Sequence, residues 1–111
     1  MKQVEMRWNT PEDLENLLCE IVNWDSRTGT QGEIEFSYKI KEKLLELPYF
    51  QENSSHILFH DAEKNRNAVT ALYNSGVTNK TIVLISHFDT VHTEEFGAGL
   101  EELAFQPREL T

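Results

Sequence analysis

The sequence predicts an α/β domain, two helices followed by about three strands of a mixed sheet, on three observations. Apolar residues recur at helical spacing from Leu14 to Leu47. From His56 onward that period gives way to short β-branched and aromatic runs separated by turn residues. One of those runs, Thr81 to Ser86, ends in a histidine and an aspartate two residues apart. Polar groups at the C-terminal end of a strand are the usual way an open α/β sheet builds a site.

The first helix is expected over residues 11–24. Thr10 can cap it, Pro11 suits its first position, and Glu12 and Asp13 favour the positive end of its dipole. Leu14, Leu17, Leu18, Ile21 and Val22 supply one apolar face, with Trp8 and Trp24 flanking it. Ser26-Arg27-Thr28-Gly29 breaks the helix, Gly29 being suited to a left-handed turn. Thr30 to Glu33 has the spacing of a capping box, Thr30 bonding forward and Glu33 reaching back. Phe36, Ile40, Leu44 and Leu47 form the buried stripe of the second helix, which Leu47-Pro48 ends because a residue before proline avoids helical geometry.

Residues 56–60 and 67–73 read as strands joined across a charged turn at 61–66, and pair antiparallel. The third strand is expected over 81–86. Gly97, Ala98 and Gly99 loosen the chain, and Leu100 to Phe105 can form a short helix before Pro107.

At 111 residues the chain is one domain with room for a core. Its net charge of −9 argues against nucleic acid or an anionic membrane as partner, since both need clustered Lys and Arg. The single Cys19 precludes an internal disulfide and suits a reducing compartment. With no membrane-length apolar run and no signal-like start, a cytoplasmic protein is the expectation.

On a strand His87 and Asp89 share a face. A neutral imidazole is the commonest transition-metal ligand, and a carboxylate on its other nitrogen sets the tautomer. The same tripeptide also suits a strand-end histidine bonded locally to Asp89 or Thr90, and the spacing alone leaves both readings open. His56 and His60 are four apart, roughly 13 Å along a strand, too far to share one ion. Arg27 and Arg66 can each meet an acidic group, but isolated arginines carry little information. No dinucleotide, Walker or nucleophile-elbow pattern is present.

A wider context favours the metal. Ile82-Val83-Leu84-Ile85-Ser86-His87-Phe88-Asp89-Thr90-Val91 resembles the first zinc-site segment of the co-catalytic zinc peptidases and deacylases, which include acetylornithine deacetylase, succinyl-diaminopimelate desuccinylase and carboxypeptidase G. Ser26-Arg27-Thr28-Gly29-Thr30-Gln31-Gly32-Glu33 is similar to the turn between that family's first two helices, and Asn67-Ala68-Val69-Thr70-Ala71 to its strand before the site. Together with Leu103-Ala104-Phe105-Gln106-Pro107-Arg108-Glu109-Leu110-Thr111, these motifs most resemble the RocB-type arginine-utilisation proteins within the family, over residues 10–111.

The resemblance implies the N-terminal part of a three-layer zinc-peptidase-like catalytic domain. His87 would be a zinc ligand and Asp89 the catalytic-site carboxylate orienting it. Ser86 stands where the family usually has glycine, and His92 where it has proline; His92 has no implied ligand role, nor do Glu94 and Glu95. The bridging aspartate, the Glu-Glu pair, the remaining ligands and the smaller lid domain would lie beyond residue 111. The implied function is part of a two-zinc hydrolase of amide or peptide bonds, acting on a small peptide or acylated amino acid. The chain by itself would bind zinc weakly and lack catalysis, and its exposed strand edges would favour a homodimer. The alternative is a non-catalytic binding or assembly module derived from such an enzyme.

Overall fold

The computed structural model describes residues 7–64, 66–90 and 104–108. Among them the order is α1 (Pro11–Val22), α2 (Gln31–Leu44), α3 (Pro48–Glu52), a 3-10 turn (Ser54–His56) and the strands β1 (Ile57–Glu63) and β2 (Arg66–Ala71). The architecture is mixed α/β, as expected.

Helix α1 starts as the sequence predicts. Thr10 is extended, and its hydroxyl oxygen accepts the Asp13 N–H at 3.1 Å, satisfying one donor of the first turn. Its apolar stripe is less well served. No α1 residue is buried, and Leu14 and Leu18 are more than half exposed. Its last turn is tied to α2 by Lys43, whose Nζ lies 2.8 Å from Glu20 Oε1 and 2.9 Å from Glu46 Oε2. Those two carboxylates raise the lysine above its ordinary pKa, Glu20 most strongly.

Helix α2 is the packed one. It buries Glu33, Phe36 and Ser37 and lies against β2. The capping box forms differently from expectation. Thr30 makes no forward cap; its hydroxyl donates to the Arg27 carbonyl at 2.7 Å. Glu33 does reach back, but Oε2 accepts the Gly29 N–H at 2.7 Å, because the Thr30 N–H already donates to the Arg27 carbonyl. Both deviations tighten the turn before the helix.

Helix α2 ends at Leu44, short of the expected stop at Leu47-Pro48, and Pro48 instead opens α3, a helix the sequence reading missed. Proline suits the first helical position as well as it stops a preceding helix. Phe50 of α3 and Ile57 of β1 join Phe36 as the buried apolar residues. Strands β1 and β2 pair antiparallel from Ile57↔Ala71 to Glu63↔Arg66, with an irregularity between Asp61 and Glu63. The charged stretch expected as a turn therefore continues the ladder, and the chain reverses near Lys64, which adopts φ 51°.

The expected third strand is not formed among the described residues. Residues 81–89 carry no strand pairing, and Ile82, Val83, Leu84 and Ile85 are 87, 71, 92 and 91% exposed. A run apolar at every position needs cover on both faces and a neighbour for its backbone. No described element lies beside it. Of the expected short helix at 100–105, residues 100–103 fall outside the described set, and Ala104 and Phe105 form a 3-10 turn. Among the described residues, no helix is long and apolar enough to cross a membrane.

Candidate metal-binding segment

The site begins where the bare run ends. At residue 88 the chain gains partners: the Phe88 ring stacks on buried Phe36, centroids 4.6 Å apart and planes within 11°, and Trp24 meets Phe36 edge-on at 5.3 Å. Stacked and edge-to-face rings at these separations attract beyond their area burial. With Phe88 turned to the core, its neighbours on either side face each other across the opposite side.

His87 Nδ1 lies 3.0 Å from the Asp89 backbone carbonyl oxygen and 3.2 Å from Asp89 Oδ1. A proton on Nδ1 serves both acceptors, which leaves Nε2 as the nitrogen with a lone pair. The imidazole is 86% exposed, so that face is open to a metal or to water. The Asp89 carboxylate is held at its other oxygen as well: Thr28 Oγ1 lies 3.1 Å from Asp89 Oδ2 and 3.1 Å from the Thr90 carbonyl oxygen.

The turn between α1 and α2 supplies these contacts. The Thr28 N–H donates to the Thr90 carbonyl at 2.9 Å, the Thr90 N–H donates to the Ser26 carbonyl at 3.1 Å, and the Ser26 hydroxyl donates to the Phe88 carbonyl. Arg27 and Thr90 thereby make an isolated parallel bridge. The turn is itself braced. Asp25 accepts from Arg27 at Nε (2.9 Å to Oδ1) and at Nη2 (2.6 Å to Oδ2), and this guanidinium holds the Asp25 carboxyl below the ordinary carboxylate range. Gly29 sits at φ +86°, where side chains are strained. Gly32 permits a close approach of the backbone, since a Cβ there would fall 1.9 Å from the Asp25 carbonyl oxygen. Buried Glu33 bonds Gly29 and also lies 3.4 Å from Arg66 Nε.

Arg27 and Arg66 each do meet an acidic group, Asp25 and Glu33, and act as structural anchors. A third distant stretch joins them. Arg27 stands 5.6 Å from the centre of the Phe105 ring, and Arg108 Nη2 donates to Asn16 Oδ1 of α1 at 2.6 Å. The segments 25–33, 86–90 and 104–108, far apart in sequence, thus converge around one turn. A cleft of about 990 Å³ opens beside them, its lining including Phe36, Ile40, Val69, His87, Phe88 and Asp89.

The other histidines have local partners. His56 Nδ1 is 2.7 Å from the Tyr49 hydroxyl, and His60 Nε2 is 2.9 Å from Thr70 Oγ1 across the hairpin. His92, Glu94 and Glu95 lie outside the described residues. Among the described residues, no three His, Cys, Asp or Glu side chains group closely enough to hold a metal ion.

Comparison with known proteins returns two curated relatives of this kind. Uncharacterized protein YqjN of Bacillus subtilis (strain 168) is 34% identical over 105 residues, which are 95% of this chain and 19% of that protein. Protein RocB of the same organism is 35% identical over 106 residues, 92% of this chain and 19% of that protein. No family model and no solved structure matches. The chain spans about a fifth of the length of the relatives it matches, and it corresponds to one segment of larger RocB-like proteins.

Proposed function

We propose that this chain carries the first metal-binding segment of a zinc-dependent hydrolase of amide or peptide bonds. His87 is the ligand, through Nε2, and Asp89 is the carboxylate behind it. The observation that carries the reading is the contact between His87 Nδ1 and Asp89, which leaves the outward nitrogen of an exposed ring available for coordination. The pair fits one ligand position of such a centre. A catalytic zinc takes about three protein ligands, so the others and the general base come from the rest of a longer protein.

When bound, zinc supplies Lewis-acid polarisation of the scissile carbonyl. This chain's own part is orientation: Phe88 anchors the segment, Asp89 sets the imidazole tautomer, and the turn at 25–30 holds the carboxylate. The substrate class is a small peptide or an acylated amino acid, and the link to arginine utilisation rests on the motif resemblance. Taken alone, the chain has weak zinc affinity and no catalysis. The bare run at 82–85 favours pairing with a second copy when nothing else covers it.

Titration calorimetry of the chain with zinc chloride tests the ligand assignment. Weak binding that falls at least about tenfold in His87→Ala is the expected outcome. Binding indifferent to His87, or no zinc binding at all, overturns it.

A further inference from the structure

The turn between the two helices carries more bonds than a connection requires. Its backbone pairs with residue 90 in both directions, and its Ser26 hydroxyl takes the carbonyl of residue 88. Its own shape is braced by Gly29, Thr30, buried Glu33 and the Asp25–Arg27 pair. All of this places one hydroxyl, Thr28 Oγ1, against one oxygen of Asp89, while the other oxygen meets His87.

We propose that Thr28 is a positioning residue for the His87–Asp89 pair. A carboxylate at the end of an unpaired segment turns freely about two side-chain bonds, and either oxygen, or neither, can face the imidazole. A hydroxyl donating to Oδ2 removes that freedom and points Oδ1 at Nδ1, adding a second acceptor beside the Asp89 backbone carbonyl oxygen, which lies 3.0 Å from the same nitrogen. The imidazole then keeps its proton on Nδ1 and its lone pair on Nε2, the tautomer a metal needs. The shared donation to the Thr90 carbonyl holds the hydroxyl itself in place. Threonine also suits the position because its branched Cβ restricts the hydroxyl to few rotamers.

The zinc-affinity part of this inference rests on His87 being a ligand; the tautomer part does not. Thr28→Val keeps the shape and removes the donor, and Thr28→Ser restores it. Each is compared with the parent chain by long-range proton–nitrogen spectra of the imidazole and by calorimetry with zinc chloride. In Thr28→Val, the His87 signals should move from the Nδ1–H form toward a mixture of tautomers, and zinc affinity should fall by about tenfold. Thr28→Ser should restore both to within about threefold of the parent. Unchanged imidazole signals in Thr28→Val overturn the proposal, as does an equal loss in both variants, which would mark a packing role. Should Thr28→Val fail to fold, Thr28→Ala, which also removes the hydroxyl, must shift the same imidazole signals or the proposal falls. A parent chain that binds no zinc sinks the metal reading, while the imidazole spectra still decide the role of Thr28.

Discussion

Residues 81–85 and 86–90 belong to one continuous run, and they meet opposite fates. The first half is the more apolar and lies bare, with four consecutive aliphatic side chains in solvent. The second half contains the polar residues and is held by ring stacking at Phe88, side-chain bonds at Asp89 and backbone bonds at Thr90. Order along this run does not follow hydrophobicity. Apolar character sets the demand for a partner, and only an adjacent ring or backbone edge meets it. Helices α1 and α2 repeat the contrast: both are patterned for burial, but α2 packs on β2 and buries residues while α1 buries none.

The comparison breaks most completely if the turn is pushed away from the segment it holds. Gly32→Ala forces a methyl group onto the Asp25 carbonyl oxygen and should cost about 2–3 kcal/mol, read by urea denaturation. The amide signals of residues 26–30 and 88–90 should then move toward the unpaired character of 81–85. Amide signals that stay in place would show that the turn does not depend on this close approach.

A paired substitution sharpens the contrast within the run. Phe88→Ala removes a ring stacked on the core and should cost about 2 kcal/mol. Leu84→Lys, at a site 92% exposed, should change stability by less than about 0.5 kcal/mol and reduce any self-association seen by light scattering at high concentration. Equal costs at the two positions would erase the distinction.

The smallest effect concerns pH. The Asp25 carboxyl is held below its ordinary value by Arg27, so its contribution is present above the unfolded value of about 3.9 and is lost as pH falls through the folded one. Acid titration followed by Trp24 fluorescence should show a step below about pH 4 that Asp25→Asn lacks. A step at the same pH in both proteins would assign it elsewhere.

Much of the scaffold was legible because its signals are local. Thr10 before Pro11 sets the start of α1, Gly29 takes the left-handed turn, and the change of period at His56 marks the hairpin. His87 and Asp89 do meet, although the strand from which their common face was expected is not formed among the described residues. Hidden from sequence were α3, since a proline that follows one helix can also open the next, and the identity of the acidic partner of Arg66, Glu33, which lies in another element. Ser26 and Thr28 read only as turn residues, for nothing in their neighbourhood announces contacts some 60 residues away.

The amino-acid order by itself determined where α1 starts, where the left-handed turn at Gly29 falls and where the helical period gives way to the hairpin, because these depend on spacing and short-range sterics. Tertiary structure alone decided that the turn at 25–30 grips residues 88–90, that Phe88 seats on Phe36, and that the apolar stretch before it stays uncovered. Those outcomes depend on which distant atoms arrive within bonding distance, and a hydrogen bond or a ring contact exists only where its partner does.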